Sequence, residues 1–236
     1  MRIFLVSLVS SLVLATSVTA QSRAFDCDPS KKISLKSAQE IVTRVQDNYA
    51  KVKTLQANFL QDSFVASLEV SELSSGQVWF SKPGKMKWLY KSPEEQTFIV
   101  RDETLWLYQN RENQLLIDDF RNVLISDLPV AFLMGLGNLS RDFKLTTACQ
   151  GPEGTVLEFV PLAGDAQDPK QALKLFRLLV SVDYYPKGAK VSDVGGNTTA
   201  ILLEDRKTNS EIGDSVYASD FPKGADINDR RSKDKA

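Results

Sequence analysis

Histidine is absent from the 236-residue chain, and this absence removes more catalytic chemistry than any other feature of its composition. Histidine is the usual general base of nucleophilic triads and a common ligand of catalytic metals. The two cysteines, Cys27 and Cys149, are too few for a cysteine-rich zinc site. The sequence also lacks a G-x-S-x-G nucleophile motif, a P-loop and a dinucleotide-binding glycine motif. We therefore predict that the protein is not an enzyme and uses neither a metal nor a cofactor.

The remaining polar candidates for a site are weak. Asp118 and Asp119 are adjacent carboxylates, but neighbours on a strand point to opposite faces, so we expect them to be solvated. Lysines alternate with aromatic residues over residues 85–91, a pattern that a stacking platform for single-stranded nucleic acid would also show. With 29 basic and 30 acidic residues the formal net charge is −1. This balance argues against a nucleic-acid partner.

Residues 1–20 have the features of a secretory signal peptide. Arg2 gives a positive start, an uncharged apolar stretch follows, and Val18-Thr19-Ala20 ends in small residues. The alternative, a membrane anchor, needs about 20 apolar residues, and this stretch is shorter and diluted by serines. We therefore predict cleavage after Ala20 and export of the mature protein.

Export would place both cysteines in an oxidising compartment, where Cys27 and Cys149 are candidates for a disulfide. A bridge between them would close a loop of about 120 residues and stabilise the fold by up to about 4.7 kcal/mol in the chain-entropy model. The alternative is two free thiols, since the sequence does not fix their distance. Residues 23–26 are not a small apolar cleavage box, so Cys27 is not expected to carry a lipid.

The body of the chain is predicted to contain one long helix followed by strands. Residues 34–40 offer an N-cap, with Ser37 and Glu40 at capping-box spacing, and apolar residues recur at helical spacing from Leu35 to Val52. After Thr54 the apolar period changes to two. The predicted strands lie at residues 55–59, 78–80, 86–90, 98–100, 105–108, 115–117, 143–147, 156–160, 173–184, 199–203 and 216–221. Turns are predicted at residues 74–76, 82–85 and 101–104.

A short, very apolar helix is predicted inside this run of strands, between Asp127 and Gly137. It has an N-cap aspartate, an early proline and terminal glycines. The predicted organisation is a signal peptide (1–20), an N-terminal arm (21–33), one domain (34–225) and a charged disordered tail (226–236).

The strand pattern predicts a mainly β (α+β) fold in which an antiparallel sheet curls on itself. The apolar face of such a sheet must be covered, and few helices are available to cover it. A curled sheet of this size can enclose a hydrophobic cavity, with the two apolar helices inside it or across its mouth.

Several motifs resemble the outer-membrane lipoprotein carrier family (LolA). The main one is GQVWFSKPGKMKWLYKSP at residues 76–93, followed by FIVRDETLWLY at residues 98–108. Upstream, VKTLQANFLQ at residues 52–61 is similar to the family's helix-to-strand segment. Residues 129–135 look like its apolar lid, and DVGGNTT (193–199) and FPKG (221–224) resemble its late patterns. The likeness extends over residues 35–227.

The resemblance implies an incomplete, strongly curved antiparallel barrel with lidding helices around a hydrophobic cavity. It implies a monomeric periplasmic carrier that binds the acyl chains of lipoproteins. It would receive them from an inner-membrane ABC-type lipoprotein-releasing complex and deliver them to an outer-membrane receptor.

The site that follows from the resemblance has three parts. The proposed lining of the acyl-chain cavity is Phe59, Val78, Phe80, Met86, Trp88 and Tyr90. The proposed lid residues are Leu128, Phe132, Leu133 and Met134. Lys82, where the family usually has arginine, is the candidate lid latch, although lysine lacks the planar guanidinium fork.

Less specific interpretations of the same residues remain open. The lining residues would also suit an ordinary core, the lid segment a fixed helix, and Lys82 a solvated turn. For the function, the alternative is a periplasmic carrier or sensor for another lipid or hydrophobic ligand on the same fold. A lipid-processing enzyme would need polar groups clustered in the cavity, and none can be named.

Overall fold

The computed structural model describes residues 23–120, 139–162 and 173–231, and this part of the chain is built on one twelve-stranded sheet. The strands are β1 (Thr54–Val65), β2 (Val70–Ser81), β3 (Lys85–Ser92), β4 (Gln96–Arg101), β5 (Thr104–Gln109), β6 (Gln114–Asp119), β7 (Phe143–Gln150), β8 (Thr155–Pro161), β9 (Leu173–Val180), β10 (Pro186–Asp193), β11 (Thr198–Thr208) and β12 (Asp226–Asp229). The helices are α1 (Leu35–Ala50) and the single-turn α2 (Leu139–Asp142), with 3-10 turns at Pro29–Lys31 and Asp214–Tyr217.

The sheet order is β12-β6-β5-β4-β3-β2-β1-β11-β10-β9-β8-β7. Every neighbouring pair is antiparallel except β12 and β6, which run parallel. The chain thus forms a curled, open, mainly antiparallel sheet with few helices, which confirms the predicted fold class.

One face of the sheet, which carries Phe59, Trp88 and Leu178, is called the inner face here. It is apolar across nearly its whole width, because alternate residues of neighbouring strands contribute to two adjoining clusters. Helix α1 covers the β7–β10 half of this face with Ala38, Val42 and Val45. The N-cap lies within the predicted stretch but is Ser34, whose hydroxyl accepts a hydrogen bond from the Ser37 amide. The helix therefore begins one turn before the capping box that Ser37 and Glu40 would form.

The opposite, outer face of the same half is covered by the N-terminal arm. Ala24 and Phe25 are buried there against residues of β8, β9 and β11. Gly188 leaves room for the Phe25 ring, since a Cβ at this position would lie 3.0 Å from Phe25 Cζ. A disulfide joins Cys27 of the arm to Cys149 of β7, with their Cα atoms 5.6 Å apart. The arm is therefore tied to the sheet both covalently and by burial.

The outer face of the β2–β6 half is covered by residues 213–225, which we call the C-terminal strap. Tyr217 is fully buried and its hydroxyl is 2.7 Å from the Ser81 hydroxyl, while Phe221 packs on Tyr108. The strand predicted at residues 216–221 is therefore wrong. Its apolar residues anchor a 3-10 turn and an extended segment instead of pairing in the sheet.

Three other sequence predictions differ from the structure. The turn predicted at residues 74–76 is the interior of β2, and the chain actually turns at residues 66–69. Strand β9 ends at Val180, so the predicted strand to residue 184 is too long. Strand β10 was not predicted, because Pro186, Gly188 and Lys190 obscure its alternation.

The charged segment after residue 225 also differs in part from the predicted disordered tail. Asp226–Asp229 forms the exposed strand β12, which pairs with the edge strand β6. Backbone hydrogen bonds from the Asp226 amide to Asn113 and from the Arg230 amide to Ile117 hold its two ends. Side-chain charge does not prevent this pairing, because the bonds are made by the backbone.

The predicted signal peptide and the segment with the predicted lid residues Leu128, Phe132, Leu133 and Met134 lie outside the described residues. Among the helices of residues 23–120, 139–162 and 173–231, none has the length and apolar character needed to cross a membrane.

Candidate functional site

The structure places the six predicted lining residues together on the inner face, and we call this set the apolar floor. Strand β1 contributes one of them, β2 contributes two and β3 contributes three. Five of the six are buried and Tyr90 is half-buried. All six belong to one cluster: Phe59, Val78, Phe80, Met86, Trp88 and Tyr90.

Strand register explains why these residues meet. Val78 is paired with Trp88 and Phe80 with Met86 across β2 and β3. Cross-strand partners lie on the same face, so two alternating segments give one continuous patch. The period-two spacing predicts which residues of each strand share a face, and the register brings the two sets together.

The aromatic rings of the floor form a connected group. The Phe59 ring centroid lies 4.7 Å from that of Trp88 and 4.9 Å from that of Tyr90. Phe98 of β4 extends the group, 5.8 Å from Tyr90. The Phe59–Tyr90 contact is edge-on, which is a favourable arrangement for aromatic pairs, and all three distances lie in the usual range for such pairs. The result is a largely buried cluster on the inner face, built mainly from aromatic carbon.

Gly76 makes this arrangement possible, although the sequence interpretation placed it in a turn. It pairs with Phe59 in β1 and with Tyr90 in β3. A Cβ atom at Gly76 would lie 1.9 Å from the Leu89 carbonyl oxygen and 2.8 Å from Phe59 Cε1. Glycine is therefore required in this strand for close backbone approach and for the position of the Phe59 ring.

The inner face becomes polar at one border of the floor. The Tyr90 hydroxyl donates to Gln61 Oε1 at 2.9 Å, and Gln61 Nε2 donates to the Ser63 hydroxyl at 3.0 Å. These three side chains form the polar border. An amphipathic ligand could place its chain on the floor and its polar end beside this border.

One polar atom of the floor has no partner. The indole nitrogen Trp88 Nε1 is buried and makes no hydrogen bond. Most buried side-chain donors in proteins are paired, so this N–H is an exception that requires an explanation.

The candidate latch Lys82 lies at the C-terminal end of α1. Its Nζ donates to the carbonyl oxygens of Tyr49 and Ala50 at 3.1 and 3.5 Å, and it lies 5.8 Å from the Tyr49 ring centroid. A cation at this position satisfies helix carbonyls and complements the helix dipole. Burial raises the pKa of the Tyr49 phenol, so this ring stays neutral beside the lysine. Lys82 is thus held at the helix end and is not a freely solvated turn residue.

Sequence reasoning missed several contributors to the same cluster. Tyr49 comes from the last turn of α1, Val52 from the connection between α1 and β1, Leu105 from β5, and Phe120 lies directly after β6. The Phe120 amide donates to the Glu103 carbonyl at 2.8 Å, which holds this residue against the β4–β5 turn. The period-two spacing at residues 98–100 and 105–108 was a usable signal for β4 and β5, but nothing in the sequence joined these strands to the floor.

Within the parts of the chain that the structure describes, histidine, cysteine, aspartate and glutamate nowhere form a group of three that could hold a metal. The floor offers apolar contact, and its border offers a few neutral hydrogen-bonding groups. Such an arrangement can contact a hydrophobic chain.

Comparisons with known proteins agree with this geometry. The family model described as outer membrane lipoprotein carrier protein LolA matches residues 50–220. The chain is 30% identical over 183 residues to an outer-membrane lipoprotein carrier protein of Alkalilimnicola ehrlichii, covering 76% of this chain and 79% of that protein. It is 25% identical over 199 residues to the protein of that name from Nitrosomonas europaea, covering 84% and 90%. The fold is similar to that of an uncharacterized conserved protein from Thermus thermophilus, with a TM-score of 0.52, 18% identity, and coverage of 82% of this chain and 99% of that one.

Proposed function

The chain belongs to the LolA family of outer membrane lipoprotein carrier proteins, and on this premise we propose that it is a periplasmic carrier of acylated lipoproteins. It takes lipoproteins released from the inner membrane by an ABC-type complex and delivers them to an outer-membrane receptor. It acts as a monomer, and residues 1–20 are the cleavable signal that exports it.

The observation that supports this proposal most strongly is the apolar floor. Hiding an acyl chain from water is favourable by about 0.8 kcal/mol per methylene, or on the order of 12 kcal/mol for a chain of sixteen carbons. Large aromatic rings and Met86 offer the required contact, and methionine adapts to chains of variable shape. Since acyl chains are common to all lipoproteins, one floor can serve many of them.

A carrier must also release its cargo, and we assign this step to the lid and latch. We propose that Leu128, Phe132, Leu133 and Met134 act as the lid, and that lid and lipid compete for contact with the floor. This competition lowers the net affinity and makes transfer to the receptor possible. Lys82, beside the floor at the end of α1, couples lid position to cargo.

The latch is tested by a Lys82→Leu variant, with Lys82→Arg as the matched control. We expect Lys82→Leu to slow loading or handover in a reconstituted transfer assay, because the cation is lost. Lys82→Arg keeps the charge and should transfer normally. Loss of the helix-end contacts alone is worth about 1 kcal/mol, so urea unfolding of both variants separates instability from a transfer defect. Normal transfer by Lys82→Leu would rule out the latch.

The function itself is tested by native mass spectrometry of the protein purified from its own periplasm. We expect bound masses that match triacylated lipoprotein, one per protein molecule. Bound phospholipid or another small lipid alone would redirect the function to a different lipid carrier or sensor. A preparation with no bound mass is followed by a release assay on inner-membrane vesicles, where failure to release lipoprotein contradicts the proposal.

A further inference from the structure

The unpartnered indole N–H of Trp88 lies in the floor that the proposed function assigns to acyl chains. Trp88 is only 3% exposed, and its Nε1 has no hydrogen-bond partner. Along with Asp62 Oδ1, it is one of two such atoms found in the described part of the chain. Asp62 lies on the other side of β1 from Phe59 and Gln61, so the two orphan atoms cannot satisfy each other.

The neighbours of Trp88 explain why it has no partner within the protein. Phe59 and the cross-strand partner Val78 offer no acceptor to the indole. Tyr90 is nearby, with ring centroids 6.4 Å apart, but its hydroxyl is turned to Gln61. The N–H is therefore a buried donor in an apolar surface, and a bound ligand with an acceptor would relieve an unfavourable arrangement.

The position of the donor indicates which acceptor it suits. Trp88 is next to the ring of Tyr90, and Tyr90 begins the polar border with Gln61 and Ser63. A ligand chain on the floor with its head at this border would have its chain–head junction within reach of Trp88. In an ester-linked acyl chain that junction carries a carbonyl oxygen, which accepts one hydrogen bond from a neutral donor. A free hydrocarbon or an ether-linked chain has no carbonyl there.

We propose that Trp88 Nε1–H donates a hydrogen bond to an acyl ester carbonyl of the bound lipid, so that the site prefers ester-linked chains. This inference rests on the proposed function, because it requires acyl chains on the floor. Without this hydrogen bond the floor would select ligands only by hydrophobicity. With it, the floor also distinguishes ester-linked from ether-linked chains.

The test compares two lipopeptide probes that differ only in linkage. One carries a dipalmitoylglyceryl group with two esters, and the other carries the dihexadecyl ether analogue. Dissociation constants are measured for the wild type, for Trp88→Phe and for Trp88→benzothienylalanine, which replaces the N–H by sulfur at nearly constant shape. Trp79→Phe is the control, since Trp79 lies between Val78 and Phe80 on β2 and faces the outer side.

We expect the wild type and Trp79→Phe to bind the ester probe roughly three- to tenfold more tightly than the ether probe, as one neutral hydrogen bond allows. In both Trp88 variants this ratio should fall to about one. Because the ratio is taken within each variant, a general loss of affinity does not affect it.

A second measurement follows the indole signals directly. The chain has three tryptophans, so indole-labelled protein gives three N–H signals. The signal lost in Trp88→Phe should move downfield with the ester probe and move less with the ether probe. Equal affinity for both probes in the wild type, with an unchanged Trp88 signal, overturns the inference but leaves the carrier function intact. Failure of both probes to bind overturns the proposed function together with the inference.

Discussion

Single residues of the floor owe their positions to alternation along the strands and to one glycine. Alternation could be predicted from sequence, since Val78 with Phe80, and Met86 with Trp88, repeat at period two. The role of Gly76 could not, because a glycine that follows two serines has the composition of a turn. Only the distances to Leu89 and Phe59 show that it is a packing residue.

We predict that Gly76→Ala destabilises the fold by more than about 2 kcal/mol, because the new methyl group meets the Leu89 backbone and the Phe59 ring. Strands β2 and β3 must separate locally or the ring must leave the floor. Urea unfolding followed by circular dichroism measures the change.

Gly213→Ala is the matched control for this prediction. A Cβ at Gly213 meets the Ser215 hydroxyl oxygen at an ordinary 3.7 Å, and its φ of −65° suits alanine. We expect its unfolding midpoint to stay close to that of the wild type. A Gly76→Ala protein as stable as this control would show that the floor tolerates a Cβ there.

Asn197 links the β1–β2 turn to the β10–β11 turn through hydrogen bonds to Ala66 and Asp193. The contribution of Asp193 to stability should therefore depend on pH. The side-chain and backbone N–H groups of Asn197 donate to Asp193 at 2.7 and 2.8 Å, and its Oδ1 accepts from the Ala66 amide at 3.0 Å. The Asn197 side chain, followed by backbone amides, lowers the pKa of Asp193 below its usual value. The folded state therefore favours the charged carboxylate.

Stability from this carboxylate is fully present above the unfolded pKa, about 3.9, and is lost as the pH falls through the lower folded pKa. We predict that Asp193→Asn is less stable than the wild type at pH 7 and that this difference shrinks steadily below about pH 4. Thermal unfolding across this range measures it, with Asp220→Asn on the exposed part of the strap as control. A difference that does not change with pH contradicts the assignment.

At the scale of elements, the outer face is held by two segments that sequence reasoning interpreted only in part. The sequence predicts the N-terminal arm as a separate segment. Its burial through Phe25 depends on the space left by Gly188, and the spacing of apolar residues does not predict that contact. Within the strap, residues 216–221 have the apolar spacing of a strand, which is why the sequence predicts one there. Local spacing does not distinguish a strand from a segment that inserts two rings into the sheet surface.

We predict that the double change Cys27→Ala and Cys149→Ala lowers the free energy of unfolding by about 2–5 kcal/mol, because the disulfide closes a long loop. The cysteines are 122 residues apart in sequence. The arm should also lose amide protection around Phe25, which hydrogen exchange measures. Reduced wild-type protein should behave as the double variant does. An unchanged unfolding midpoint in both would show that burial alone holds the arm.

At the scale of the whole molecule, fold class was predictable because many short alternating segments permit few other solutions. The order of the strands in the sheet was harder to predict from the sequence. The neighbouring positions of β1 and β11 join segments about 140 residues apart, and the pairing of β12 with β6 depends on backbone bonds that carry no sequence signature. The inner face of the sheet is apolar. Helix α1 covers its β7–β10 half, and the floor lies on the other half, on β1 to β3.

The central claim is that acyl chains lie on the inner face at the floor. The most direct test is photo-crosslinking from two adjacent residues of β3 that face opposite sides, with Tyr90→benzoylphenylalanine for the inner face and Leu89→benzoylphenylalanine for the outer. Both side chains are half-buried, which makes them a matched pair. The carrier is loaded with a lipoprotein whose acyl chains carry an alkyne tag. We predict labelled adducts from position 90 and only background from position 89; equal labelling from both, or labelling from position 89 alone, would contradict the account.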